Sequence, residues 1–592
     1  MLFLPSNPDN YGINMAPEKE EAKYFYVTTP IYYVNSEPHI GGVYTSLMAD
    51  LMCRFNVLNG RETWFLTGTD EHGQKIQQSA QGAGMEEQQF VDMMAKKFIE
   101  INDYMNFGYS DFIRTTEDRH KFFVQAVWQK LVKNGWIYRG KYSGWYCVSD
   151  EAYYTEDDLV KSTDGTLRTS LGKTVEWREE DSYFFRLSRF QKILLELYGT
   201  TDFIQPSFRK NEVVAFVSGR SIRELETESS PLEGYLKDLS ISRNNFSWGI
   251  KIPCDDSGKK LAIGNDWSEG IDEKEKHVIY VWLDALFNYQ SALHSFDKFD
   301  KFWKNGRVVH MVGKDILRFH AVYWPALLIA LEYEVSEIDG LSLADILNKN
   351  ILPTTIFAHG WWTRDGKKMS KSLGNTLNVR DEIGAFVREF NLEEDVAKDY
   401  MRYFLATEIP FGADGDYSKT RFIEKINAEL VNNIGNLIHR ILMMLDKNFE
   451  GNIDKIEITP QIKIKNLLRD GTIDKFDYLG YRDLLVAIST ATNGHLEQTA
   501  PWNLRKNGKT EKMFEILKNG IQDVARIAIL LQVFCPSTAK KILDHLGIVD
   551  RSFSCLYDGT GCIPEQKLPS PRPFFPKLDS GDSFGSKIKP SL

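Results

Sequence analysis

The run Tyr24 to Tyr33, YFYVTTPIYY, sets β-branched and aromatic residues side by side and stops at the polar turn Asn35-Ser36-Glu37-Pro38. That pattern predicts a buried first strand. Apolar residues then recur at helical spacing from His39 to Leu58, with Gly60 as a stop, and a second strand is predicted over Glu62 to Thr67, leading into GTDEHG. Helical periodicity resumes through Met105. Strand, helix, strand, helix with polar residues at the strand ends is the order of a parallel α/β sheet, whose ligands sit beyond the carboxyl ends of the strands.

From Gly140 to about Gly270 the texture changes to short aromatic-rich strands, many turns and the hydrophilic loop Lys161 to Thr169, as in a subdomain inserted into the first. The α/β pattern returns with HVIYVWLDALFNY (277–289), VVHMVGKDILRFHAVYWPALLIA (308–330) and TTIFAHGWW (354–362). After about Asp416 the pattern is almost wholly helical, with amphipathic runs over Thr420 to Lys447, Tyr481 to Gln498 and Thr510 to Phe534. Beyond Arg551, Pro, Ser and Gly accumulate, and this tail is expected to lie along the surface or be partly disordered.

At 592 residues the chain exceeds one hydrophobic core, and its 42% hydrophobic content suffices for two or more domains. No apolar stretch reaches membrane-spanning length; even Phe319 to Leu331 is short and holds a Pro and a Trp, so no membrane span is expected. A net charge of -10 argues against a protein held to nucleic acid by global charge, while leaving room for a local basic face. Six cysteines without a C-x-x-C fit a reducing compartment rather than a disulfide scaffold. The leader, Met1 to Lys23, has neither the long apolar run of a secretory signal nor the arginines of a transit peptide. A cytoplasmic location is therefore expected.

Two segments carry candidate chemistry. In PHIGG, Pro38 to Gly42, His39 can present a ring nitrogen to phosphate oxygens, and Gly41 and Gly42 remove the Cβ atoms that would hold a base or ribose away. Alone, the same residues read equally as a structural turn. In DGKKMSKSLGN, Asp365 to Asn375, the cations Lys367, Lys368 and Lys371 stand beside Ser370 and Ser372 on a segment hinged by Gly366 and Gly374. Such a loop can close over a triphosphate and stabilise charge on departing pyrophosphate, or be a solvated charge run. There is no Walker phosphate loop, which counts against a P-loop kinase or GTPase.

In that order the two segments resemble the signature pair of class I aminoacyl-tRNA synthetases. TTPIYYVNSEPHIGG (28–42), TGTDEHG (67–73) and VIYVWLDALFNY (278–289) resemble, more narrowly, the methionyl-tRNA synthetases. The resemblance runs from Tyr24 to roughly Val549. It implies a Rossmann-like parallel-sheet catalytic domain (24–139 and 271–363) with a connective insertion (140–270) and a lysine-rich mobile loop and linking region (364–415). An α-helical anticodon-binding bundle (416–550) follows, flanked by the leader (1–23) and the tail (551–592).

The resemblance also implies residue roles. Ile31, Tyr33, Trp282, Ala285, Tyr289, His320 and Tyr323 match positions in or beside the methionine pocket, and Asp70 matches the residue that holds the substrate ammonium. Aromatic walls suit an unbranched, polarisable thioether, although the same rings fill cores in any α/β domain. Gly313 and Asp315 match positions near the ATP ribose; Asp315 could equally cap the following helix. His39, Gly41, Gly42, Lys368, Met369, Ser370 and Lys371 match the ATP-binding motifs, with His39, Lys368 and Lys371 in the catalytic roles. Asn432, Asn436 and Arg440, four apart on one helix face, and Trp502 match anticodon-reading positions, and would otherwise be a polar face and a packing tryptophan.

Two departures stand out. Where many relatives carry zinc-binding C-x-x-C knuckles, this chain reads GWYCVSDEAYYTEDDL (144–159), with Cys147 paired at knuckle spacing only with Asp150. No zinc is expected, and Trp145, Tyr146, Tyr153 and Tyr154 are expected to hold the loop by packing. Gly42 replaces the usual second histidine of the first motif, removing a potential phosphate donor that the lysine loop or His72 could replace.

The expected activity is ATP-dependent formation of methionyl-adenylate and transfer to the 3′ end of tRNA(Met), with Mg2+ accompanying ATP and the chain a monomer. Two competitors remain: a synthetase for another hydrophobic amino acid, against which stands the lack of a large editing insertion, and a non-catalytic tRNA-binding descendant, against which stand Asp70, Lys368 and Lys371.

Overall fold

The computed structural model describes residues 22–149, 152–154, 156–162, 165–227, 230–253, 277–369, 376–470 and 472–579. It divides into two compact units: 1–38, 64–100 and 109–358 in the first, 39–63, 101–108 and 359–592 in the second.

The first unit is built on a seven-stranded sheet. Its strands are β1 (Tyr24–Thr28), β2 (Tyr32–Tyr33), β3 (Glu62–Asp70), β4 (Asp111–Arg114), β5 (Ile204–Gln205), β6 (Gly306–Gly313) and β7 (Thr355–His359). The order is β5-β7-β6-β1-β3-β2, with β4 also on β3. β1 runs parallel to β6, β5 to β7, and β2 and β4 each to β3. β6 and β7 are apolar on both faces because helices cover the sheet, the mark of a parallel sheet. The predicted first strand is split, since Thr29-Pro30 interrupts pairing between β1 and β2 and Pro30 has no N–H to give.

The segment read from its texture as an insertion holds two kinds of structure. Ile137–Cys147 pairs antiparallel along its length with Glu176–Phe185, and Ala152–Tyr154 pairs with its outer end. The following stretch returns to the main sheet, where β5 lies against β7 and the helices Gln191–Thr200 and Lys210–Ser218 bury Leu194, Leu197, Tyr198, Val213 and Val217 in the first unit's core. A strand of two residues carries no periodicity, so the sequence could not mark where the insertion ends.

The second unit contains the helix Ile40–Leu58 and the helical region from Val379 onward. Lys419 to Phe449 is continuously helical, with a wider π-helical stretch at Ile426–Gly435. Asp50, fully buried, accepts from Arg54, from Gly108 N–H and from Arg402 Nη2, the last at 2.5 Å. The described part of the tail, to Asp579, is anchored to the helical unit. Gln566–Lys567 pairs with Asn452–Ile453 and Cys562–Ile563 with Ile456–Glu457, while Phe553, Leu556, Phe574, Phe575 and Leu578 are buried. Tyr400 donates to Pro576 O at 2.7 Å, and Asn427 exchanges two hydrogen bonds with the Leu578 backbone. These apolar anchors supply the burial that holds the described tail, which opens with the short 3-10 turn Phe553–Leu556.

Candidate functional site

β3 carries the chain to Asp70, which lies in register with Tyr33 of β2 at the carboxyl end of the sheet. The next two residues turn inward. Glu71, fully buried, takes Arg114 in a bidentate pair at 2.7 and 3.0 Å and accepts from Thr69 and Thr116 at 2.6 and 2.5 Å. Such a fork-to-fork pair fixes geometry as well as charge. His72 Nδ1 donates to Asp284 Oδ2 at 2.7 Å, and its ring packs edge-on to Trp248. His72 is therefore engaged at Nδ1, and no partner of its Nε2 is seen among the described residues.

The aromatic residues gather on the elements that follow Tyr280. Trp282, half-buried in the helix Val281–Leu286, stacks on Phe319 with ring centroids 3.7 Å apart and meets His320 edge-on. Ala285 is buried three residues on. Tyr323 lies edge-on to Phe319, and Ile31 packs half-buried against the same core. Tyr289 donates its hydroxyl to His320 Nε2 at 2.7 Å, because His320 Nδ1–H is directed at Ile316 O at 3.0 Å and a carbonyl can only accept. His320 is thus a neutral ring; burial pulls its pKa down from 6.5 to about 4. Behind it Tyr289 stacks on His310, which accepts from Trp324 Nε1 and donates to Thr28 Oγ1, and burial holds His310 far below the usual imidazole range. Tyr33, half-buried, belongs to a neighbouring cluster with Val34, Ile76 and Phe98. The wall is aromatic, with the Arg318 guanidinium 5.0 Å from the centre of the Phe319 ring.

Gly313 ends β6 and stands at the start of the single turn Lys314–Ile316, in which Asp315 is exposed.

In the second unit, His39 caps the helix Ile40–Leu58: its Nδ1 accepts from Gly41 N–H at 3.1 Å, which leaves the proton of a neutral ring on Nε2. A Cβ at Gly41 would come within 2.9 Å of the His39 ring. The helix start is tied to the exit of the lysine segment, since Ile40 N–H donates to Leu377 O at 3.3 Å. Tyr44, one turn in, lies edge-on to His359 and Trp362 at the entrance to that segment. The first motif therefore neighbours the residues that flank the lysine segment.

Trp362–Arg364 and Lys367–Lys368 form a hairpin closed by Asp365 and Gly366, both at positive φ. This Asp-Gly turn is held by Gly366 N–H to Asp416 Oδ1 at 2.8 Å, so Gly366 is a pinned turn rather than a hinge. Met369 is half-buried after it. Ser370 and Lys371, with Gly374, and the side chain of Lys368 lie outside the described residues.

On the helix that continues from the π-helical stretch, Asn432 and Asn436 are exposed. Arg440 bonds Glu497 at 2.7 Å and lies over the Trp502 ring at 5.7 Å, with Trp502 39% exposed. Asn433, which the periodicity did not single out, turns inward to Ser489. The predicted polar face exists, and its guanidinium and indole are adjacent.

Cys147 is fully buried, Trp145 packs edge-on to Trp177, its partner across the strands, and Arg243 covers Tyr146; Asp150 and the Tyr153 side chain are outside the described residues. Among the described residues no three His, Cys, Asp or Glu side chains gather as a metal site would need, and no helix is long and apolar enough to cross a membrane. Sequence reasoning missed Glu71, Arg114, His120 and Asp284. A carboxylate inside the apolar run VIYVWLDALFNY was the available signal, because a buried charge must find partners.

Residues 25–165 and 163–442 match the family described as tRNA synthetases class I (M). The chain is 41% identical to a methionine–tRNA ligase of Rickettsia felis over 94% of this chain and 98% of that one, and 38% identical to one of Brucella suis over 94% and 98%. It is also similar to a solved Mycobacterium tuberculosis methionyl-tRNA synthetase in complex with methionyl-adenylate, with a TM-score of 0.77, 34% identity and coverage of 93% of this chain and 99% of that one.

Proposed function

The chain belongs to the class I tRNA synthetases (M), and from that premise we propose that it joins L-methionine to ATP, giving methionyl-adenylate and pyrophosphate, then transfers the methionyl group to the 3′ end of tRNA(Met). The observation that carries this is likeness along nearly the whole length of a relative holding methionyl-adenylate.

In the proposed site Asp70 takes the methionine ammonium, and Ile31, Tyr33, Trp282, Ala285, Tyr289, His320 and Tyr323 surround the thioether side chain. A neutral His320 supports this, since a charged ring would favour a polar ligand. His39, Gly41, Gly42, Lys368, Met369, Ser370 and Lys371 are assigned to the triphosphate, and Gly313 and Asp315 to the ribose. The methionine carboxylate attacks the α-phosphate in line, the α–β bond breaks, and the electron pair leaves with pyrophosphate. His39 Nε2–H and the lysines stabilise the charge that develops, so no protein nucleophile is needed. A hydroxyl of the terminal tRNA ribose then attacks the activated carbonyl and AMP departs.

Mg2+ is proposed to arrive on the triphosphate. Asn432, Asn436, Arg440 and Trp502 are proposed to read the anticodon, with the indole stacking on an unpaired base. Free cysteines, with Cys53, Cys147, Cys535 and Cys555 buried, support the proposed cytoplasmic location, and the chain is proposed to act as a monomer.

The test is ATP–pyrophosphate exchange on purified protein with methionine, leucine and isoleucine in turn. Exchange is expected with methionine alone. Exchange driven by another amino acid, or none at all, overturns the reading.

A further inference from the structure

Asp284 is a fully buried carboxylate inside an apolar helix. An uncompensated ion there costs several kcal/mol or more. Its two oxygens are each matched: Oδ2 accepts from His72 Nδ1 and Oδ1 from His120 Nε2, both at 2.7 Å. The second nitrogen of His120 meets Ser291 Oγ at 2.8 Å, which places the ring's orientation under control from both sides. Burial works against the charged form of Asp284, yet the charge of His72 and the two histidine hydrogen bonds prevail and hold the carboxyl below its usual range.

The relay joins four separate elements. His72 lies just beyond β3, His120 on the helix Asp118–Lys133, Asp284 on Val281–Leu286 and Ser291 on Asn288–His294. Two of them carry opposite ends of the assigned methionine site. His72 is two residues from Asp70, with Glu71 between them clamped by Arg114, so the backbone next to Asp70 is held in place. Asp284 shares one short helix with Trp282 and Ala285, one on each side of it in sequence. A shift of the His72–Asp284 contact would move the aromatic wall against the ammonium-binding carboxylate.

We propose that Asp284, acting through His72 and His120, is the positioning residue that sets the spacing between Asp70 and the Trp282–Ala285 wall. This rests on the reading of those residues as the two ends of the methionine site. Methionine is the ligand that spans both ends, so its binding depends on their register while that of ATP does not. Misplacement of about 1 Å is enough to cost roughly two orders of magnitude at a preorganised site.

The experiment measures methionine and ATP affinities by calorimetry, with a thermal melt for each variant, on the full chain. His72→Ala is expected to weaken methionine binding roughly 10- to 100-fold, the worth of a charge-assisted hydrogen bond, with ATP binding unchanged. His72→Asn, whose amide can place a donor near the lost Nδ1–H, is expected to recover most of the loss. If His72→Ala does not fold, His72→Asn and Asp284→Asn are compared instead, and Asp284→Asn is expected to weaken methionine and spare ATP. Wild-type methionine affinity in His72→Ala, or equal loss of both ligands without recovery in His72→Asn, overturns the inference. If the wild-type chain itself fails to bind methionine, the assigned function falls and this inference with it.

Discussion

The hydroxyl of Tyr289 donates to Nε2 of His320 across 2.7 Å, and the other ring nitrogen donates to Ile316 O, so the buried ring is held as the neutral Nδ1–H tautomer. The unfolded imidazole titrates near 6.5 and the folded one near 4. Between those values the unfolded chain binds the extra proton. The contribution to stability is therefore complete above about pH 6.5 and lost as pH falls towards 4, up to about 3 kcal/mol from this ring. His310 acts in the same direction. Urea unfolding at about pH 7 and about pH 5 is expected to show a clear loss in the wild type and a smaller one in His320→Gln. An equal loss in both would remove His320 from the account.

Gly68 in β3 sits opposite Ile113 of β4, where an added Cβ would lie 2.0 Å from Ile113 O and 2.7 Å from its Cγ2. Gly68→Ala is expected to cost at least about 1–3 kcal/mol by forcing the strands apart just before Asp70. Gly82→Ala, with nothing within 4 Å of its Cβ, serves as the control and is expected to be neutral or mildly stabilising. Chemical denaturation of both variants checks the contrast.

Trp502 is partly open and faces the Arg440 guanidinium. If it stacks on a tRNA base, Trp502→Ala removes about 1–3 kcal/mol of binding. The KM for tRNA is expected to rise roughly 5- to 100-fold while methionine-dependent pyrophosphate exchange stays level. A parallel loss of exchange would reassign this tryptophan to packing.

Gly42 stands where the family's first motif commonly has a histidine. His72 meets Asp284 through Nδ1, so its Nε2 and the lysine segment are the candidate replacement donors. Pyrophosphate exchange in Gly42→His is expected to match the wild type if Lys368 and Lys371 supply that charge; a large gain would show that nothing does.

The sequence by itself determined the parallel α/β class, the order of the motifs and the helical second half. Each of these is written in local periodicity or in short runs such as PHIGG and VIYVWLDALFNY. Tertiary structure alone decided the rest. A two-residue strand at Ile204–Gln205 becomes part of the sheet only because β7 is there to pair with it. The tail of Phe574 and Phe575 becomes a strap because the helical unit offers it a surface to bury against. Asp284 meets a histidine 212 positions earlier and another 164 earlier, pairings that no periodicity encodes. Propensity and patterning act over a few residues, whereas the partners of a buried charge are chosen by which distant elements the packed core brings together.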